Sequence, residues 1–340
     1  MFVGTANKTH VPFGLAEIAH VNIGRQITSR QVTNVHGAVG IGKGGGNEGT
    51  LWSGHIAGFG AKIFNLPGAF LRPLGHWLPL RAKPKLMKLY ARTLGEQGPD
   101  LIVMHGVFGM SDNWQSLGKK WSDRFRVHLL DMRNHGRSPH STEFSYPLMA
   151  EDLSGYLEEA GLSSAHLLGH SMGGKVAMYF ASLWPEKTES LMVADIGPKA
   201  YPPHHQWVID ALSAVDPKEF TSRRQAQEKF GSKLPDGVRQ FLLKSLYWKE
   251  ENQLDWRFNW RVIARELVKD GEPLPSHYRY EGPCLFVRGG HSDYLLDEDW
   301  PAILRQFPQA ELQTLEGAGH WLHAEKPQEF EALVRRFLSA

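Results

Sequence analysis

The chain is nearly without cysteine: 340 residues contain one, Cys284. One thiol excludes an internal disulfide framework and any cysteine-rich zinc site. It lies in the apolar run Pro283-Cys284-Leu285-Phe286-Val287, where it reads as a small core residue. Long hydrophobic runs are also missing, so no segment has the ~20 apolar residues that a membrane-spanning helix needs. The first residues lack the charged start and apolar stretch of a secretory signal. A net charge of one sign is missing as well, since 38 Lys and Arg face 36 Asp and Glu. That balance gives no basic field for nucleic acid and none for an anionic membrane surface. These absences leave a cytoplasmic globular protein, neither inserted in a membrane nor bound to nucleic acid, as the expectation. At 41% apolar and 22% charged residues, the composition supports an ordinary packed core.

Acidic residues are scarce in one stretch only. Residues 1–85 hold nine Lys and Arg against Glu17 and Glu48, which leaves the remainder net acidic. They also hold a glycine cluster from Gly37 to Gly49 and no sustained helical or strand period. Gly40 to Gly45 match G-x-G-x-x-G, and Gly37 to Lys43 match G-x-x-x-x-G-K, but Gly44 stands where a magnesium-binding Ser or Thr would be needed. Without a strand before it and a helix after it, such a loop has no helix terminus to aim at a phosphate. Pro67, Pro73 and Pro79 exclude one long helix over residues 50–80. Residues 1–85 therefore read as an N-terminal extension, poorly ordered or outside the core, and Met87 would make a natural initiator.

From residue 86 the pattern changes. Short apolar runs at Leu101–His105, Arg126–Leu130, Ala165–Gly169, Leu191–Ala194, Cys284–Val287 and Glu311–Leu315 predict strands. Helical patterns lie between most of them, near 114–121, 148–160, 172–183, 297–306 and 327–339. This alternation implies an α/β fold: a mainly parallel sheet with helices on both faces. Residues 200–280 break the rhythm with several helical stretches and four tryptophans (Trp207, Trp248, Trp256, Trp260). An inserted helical cap over the site fits that break, within a domain spanning 86–340.

The strongest chemical signal is Gly169-His170-Ser171-Met172-Gly173-Gly174, between an apolar run and a helical pattern. G-x-S-x-G in strand–turn–helix context projects a serine hydroxyl clear of the sheet at a helix N-terminus. Gly290-His291-Ser292-Asp293-Tyr294 lacks the closing glycine, which removes Ser292 as a nucleophile. Ser171 needs a base, and His320 in Gly317-Ala318-Gly319-His320-Trp321 follows the last strand-like run and precedes the last helix. An oxyanion needs amide donors. One is expected from Met172, the other from the loop His105-Gly106-Val107-Phe108-Gly109, with Phe108 preferred and Val107 next. The chain order Ser–Asp–His is satisfied twice, by Asp195 after Leu191–Ala194 and by Asp293 after Cys284–Val287, and the pattern alone leaves both open. Asp131-Met132-Arg133-Asn134-His135-Gly136-Arg137-Ser138 precedes Ser171, outside that order, and reads as a turn bracing the site.

These motifs together resemble the α/β-hydrolase superfamily. Ala194-Asp195-Ile196-Gly197-Pro198, Trp256-Arg257-Phe258-Asn259 and His320-Trp321-Leu322-His323-Ala324-Glu325-Lys326-Pro327 resemble small bacterial esterases related to the mitochondrial abhydrolase-domain 11 protein. The resemblance covers about 86–340. It implies hydrolysis of short- to medium-chain acyl esters, with some acyl thioester activity, and a triad acid after the sixth strand, which falls on Asp195. It also implies a small helical cap. The expected mechanism is an acyl-enzyme on Ser171, with Phe108, Met172 and Trp321 lining the acyl pocket and no metal or cofactor. A C–C bond hydrolase or cofactor-free haloperoxidase could use the same triad. A non-catalytic ligand-binding protein on this fold, or a nucleotide binder using the glycine cluster, are readings of other classes.

Overall fold

Runs apolar on both faces form strands when helices cover both sides, and the runs of this chain are of that kind. In the computed structural model, which describes residues 86–339 apart from 203–204, 232–233 and 268–270, each of the six becomes a strand. They are β2 (Asp100–Met104), β3 (Arg126–Asp131), β4 (Ala165–His170), β5 (Thr188–Ala194), β8 (Cys284–Gly289) and β9 (Ala310–Leu315). A further strand, β1 (Tyr90–Leu94), pairs antiparallel with β3 at the sheet edge. The order is β1-β3-β2-β4-β5-β8-β9, and every neighbouring pair but the first is parallel. The extension expected over 1–85, with its phosphate-loop matches, lies outside the described residues.

Strand residues alternate between two cores, as the pleat requires. On one face Ile102, Met104, Leu167, Leu191, Val193 and Phe286 pack with helices α2 (Tyr146–Ala160) and α3 (Met172–Leu183). On the other, Leu101, Val103, Leu168, Met192 and Val287 pack with α1 (Gln115–Trp121) and α10 (Pro327–Leu338). Cys284 is a buried free thiol in the first core, where burial pushes its pKa well up. α2 is closed at both ends by local chemistry: Ser145 caps the Leu148 amide, and Gly161 (φ 68°) takes the left-handed position after the last turn.

Between β5 and β8 the chain leaves the sheet. It forms α4 (Gln206–Ser213), α5 (Arg223–Phe230), α6 (Asp236–Lys244), a hairpin of β6 (Leu246–Glu250) and β7 (Gln253–Trp256), and α7 (Trp260–Leu267). The cap thus has a two-stranded element that the sequence pattern did not predict. Asn252 at φ 59° makes its tight turn. The chain's exit and return are tied together, since the Tyr201 amide donates to Gly271 O at 2.9 Å and that of Leu274 to Pro198 O at 2.8 Å. Lys175 of α3, buried beneath them, donates to Lys199 O at 2.6 Å and Glu272 O at 3.4 Å. After β8 come α8 (Trp300–Gln306), then β9, α9 (Leu322–Glu325) and α10.

Candidate active site

In a parallel sheet, loops at the C-terminal strand ends converge, and the register brings five of them to one edge here. Met104 pairs with Gly169, Gly169 with Val193, Val193 with Phe286, and Phe286 with Leu312. Ser171 sits between β4 and α3 at φ 52°, ψ −115°, a left-handed conformation that a serine adopts only when its surroundings impose it. The neighbouring glycines are the cause. A Cβ on Gly173 would lie 2.5 Å from Met104 O, and one on Gly169 2.2 Å from Gly173 O, so the turn is too tight for any side chain there.

His320 stands on the loop between β9 and α9, and its Nδ1–H donates to Asp195 Oδ2 at 2.7 Å. The same loop is fastened to the serine turn, since His170 Nε2–H donates to the His320 carbonyl at 2.8 Å. Ser171 and His320 line one cavity. Asp195, also left-handed at φ 52°, is fully buried at the end of β5. Its Oδ1 accepts the Gly289 amide at 3.0 Å, and its Oδ2 accepts a short bond from Ser292 Oγ. Burial pushes its pKa up to about 6, while the bonds from Ser292 and Gly289 pull against that rise. Asp293, the other carboxylate left open by chain order, is exposed on the same loop. Of the two, only Asp195 meets His320.

Several contributors escaped the sequence reading. Ser292, set aside as a nucleophile, holds the carboxylate instead. Tyr294 stacks on His320 with centroids 3.8 Å apart and planes 14° apart, so the imidazole lies between a carboxylate at its edge and a phenol on its face. The Tyr294 carbonyl is in turn held by Tyr201 Oη–H at 2.7 Å. His170 was legible only as the variable position of a motif.

Two expectations need correction. The Phe108 amide, preferred as oxyanion donor, already donates to His135 Nε2 at 3.1 Å. It points into the brace after β3 rather than toward Ser171. Met172, expected to line the acyl pocket, buries its side chain in the core against the sheet and does not reach the cavity. Phe108 and Trp321 do line it.

The cavity holds about 240 Å³. Its cap side is apolar, with Val208, Val238, Phe241 and Leu242, while His170 and His323 face it from the core. His323 is stacked on Trp114 at 4.2 Å, and its buried Nδ1 has no hydrogen-bond partner. The Asp131–Ser138 turn braces this edge. Asp131 accepts the Ser111 amide at 2.5 Å and the Arg137 amide at 2.8 Å, and Arg133 forms a buried two-pronged ion pair with Asp152 at 2.6 and 2.8 Å. Among the described residues no three His, Cys, Asp or Glu side chains are grouped to hold a metal ion. No helix among them is long and apolar enough to cross a membrane.

The family described as alpha/beta hydrolase fold matches residues 99–327. The chain is 40% identical over 250 residues to the Mus musculus protein named sn-1-specific diacylglycerol lipase ABHD11, covering 71% of this chain and 81% of that one. It is 36% identical over 243 residues to Esterase YbfF of Escherichia coli (strain K12), covering 70% and 92%. The solved structure of a marine microorganism esterase superposes with a TM-score of 0.72 at 39% identity, covering 74% of this chain and 99% of that one.

Proposed function

The chain belongs to the α/β-hydrolase fold family and is a carboxylic ester hydrolase, and on that premise we propose that it cleaves esters of short- to medium-chain acids through Ser171, His320 and Asp195. The observation that carries this reading is the 2.7 Å bond from His320 Nδ1 to the buried Asp195 carboxylate. Because Nδ1 holds its proton there, Nε2 is the basic nitrogen of the ring. His320 takes the proton of Ser171 as Oγ attacks the ester carbonyl. The oxyanion is held by the amides of Met172, at the N-terminus of α3, and Val107. The carbonyl re-forms, the alcohol departs with the proton from His320, and water repeats the sequence to release the acid. An acyl thioester follows the same steps with a thiol as leaving group.

The acyl group lies against Phe108, Trp321 and the apolar cap side chains. A cavity of about 240 Å³ falls below the ~300–1,000 Å³ usual for drug-sized ligands, which favours a small acyl chain. Ser171→Ala tests the reading. It is expected to abolish turnover of a short-chain nitrophenyl ester and labelling by a fluorophosphonate, and retained turnover would overturn it.

A further inference from the structure

Residues 105–109 after β2 line the cavity beside Ser171, and residues 132–138 after β3 pack behind them, away from the cavity. Each loop carries one histidine, and each histidine is bonded to the other loop. His105 donates Nδ1–H to Gly106 O of its own loop at 2.8 Å and accepts the Met132 amide of the second loop on Nε2 at 3.0 Å. His135 donates Nδ1–H to Arg133 O at 2.9 Å and accepts the Phe108 amide of the first loop on Nε2 at 3.1 Å. A carbonyl can only accept and an amide can only donate, so both rings are fixed in the same neutral tautomer. The rings are 5.0 Å apart and both are buried. Burial also holds both below the ordinary imidazole range, in keeping with that neutral form.

The exchange acts on a strained piece of chain. Phe108 has φ 62°, a region that bulky side chains avoid, and the partner of its amide is His135. The peptide unit that it fixes begins at Val107. On the other side this loop touches the nucleophile turn: a Cβ on Gly106 would lie 2.8 Å from His170 Nδ1 and 3.4 Å from Ser171 Cβ.

We propose that His135, through its bond to the Phe108 amide, is a positioning residue that sets the Val107 amide for the oxyanion, with His105 as its reciprocal partner between the two loops. This rests on the reading of Ser171 and Val107 given above. It assigns His135 a role in transition-state binding without contact with the substrate. A brace of this kind moves kcat and leaves KM, because a misplaced oxyanion donor weakens the transition state far more than the ground state.

The test compares His135→Leu, which lacks an acceptor, with His135→Gln, whose side-chain oxygen reaches about as far as Nε2. The full chain is assayed with a short-chain nitrophenyl ester, and inhibition by an alkylboronic acid is measured alongside. The boronic acid bonds to the serine oxygen and places a second oxygen where the oxyanion forms. His135→Leu is expected to lower kcat by about 30- to 100-fold with KM within about threefold, and to weaken the boronate in parallel. His135→Gln is expected to recover both to within about fivefold of the unaltered enzyme. Should His135→Leu not fold, His135→Asn takes its place, because its oxygen stops short of the Phe108 amide. Boronate affinity unchanged in the acceptor-less variant, or a glutamine variant as impaired as leucine, would overturn the proposal. Failure of the underlying reading looks different: the unaltered enzyme would then resist the boronate, and Ser171→Ala would still turn over ester.

Discussion

The sheet domain and its cap divide the work differently. Every group proposed to touch the reacting atoms stands on a loop at the C-terminal edge of the sheet, on a strand-to-helix turn held by neighbouring strands. Much of the apolar wall of the cavity, from Trp207 to Leu242, stands on the cap. The sheet places its groups by backbone strain and buried hydrogen bonds, as Ser171 and Asp195 at positive φ show. The cap places its groups by packing amphipathic helices with few polar ties to the site. Substitutions at the sheet edge should therefore change rate by orders of magnitude, and substitutions in the cap should change preference by much less.

The largest test of that contrast pairs two carboxylates of the sheet edge. Asp195→Asn should lower kcat by about 10⁴-fold, because an amide there favours the wrong imidazole tautomer. Asp293→Asn should stay within about twofold, as expected for an exposed side chain away from His320. Steady-state kinetics of the two variants side by side checks this, and the reverse ranking would break the contrast at its centre.

The same carboxylate sets an expected pH dependence. Asp195 must be ionised to hold the Nδ1 proton of His320, and its pKa is pushed up to about 6 by burial. Below that pH the carboxylate gains a proton and kcat/KM should fall. Ser292 and Gly289 donate to the ionised form and so lower the pKa. Removing the Ser292 hydroxyl should therefore move the acid limb upward by about one unit, the equivalent of one charged hydrogen bond. A pH–rate profile of Ser292→Ala against the unaltered enzyme reads this directly, and an unmoved limb would detach Ser292 from the acid.

How far this division could be read beforehand depends on the range of the forces involved. The six strands were legible because burial on both faces leaves a local apolar run. β1 was not, because an edge strand reading Tyr-Ala-Arg-Thr-Leu is only half covered. The cap hairpin was missed for a similar reason: Trp248, Lys249 and Glu250 are exposed, so β6 shows no inward face strong enough to signal a strand. Ser171 and His320 announce themselves through short motifs whose glycines have a local purpose. Which of Asp195 and Asp293 meets His320 is a tertiary matter, set by the residue that the end of β5 turns inward. The Phe108 expectation failed because neighbouring amides look alike in sequence, and only the arrival of His135 from another loop distinguishes them.

Cap substitutions are the next tier. Val238, on α6, is 6% exposed and faces the cavity from the apolar side. Val238→Phe should fill part of about 240 Å³ and penalise longer acyl chains over acetyl by about tenfold, the scale of a methylene or two in a hydrophobic pocket. An ester chain-length series checks it. A parallel loss on every chain length would mean that the cap also disturbs the catalytic edge, and the two regions would no longer separate.

The smallest effect is expected where the two regions join. Lys175 is buried on α3, and its ammonium, pushed down to about 7 by burial, donates to carbonyls at both ends of the cap insertion. The folded chain thus releases the proton near pH 7, whereas an unfolded lysine keeps it until about 10.4. Between those values the unfolded state binds more protons, so stability should rise with pH across that window. Lys175→Met removes the group and should flatten that rise, so that Tm gains less between pH 7 and pH 9.5 than in the unaltered protein. Thermal unfolding of both proteins at pH 7 and pH 9.5 measures the difference, while kcat at pH 8 should change by less than about threefold, since Lys175 reaches the cap junction and not the cavity. A large loss of kcat would show that the junction governs the catalytic edge, and the division of labour between sheet and cap would have to be redrawn there.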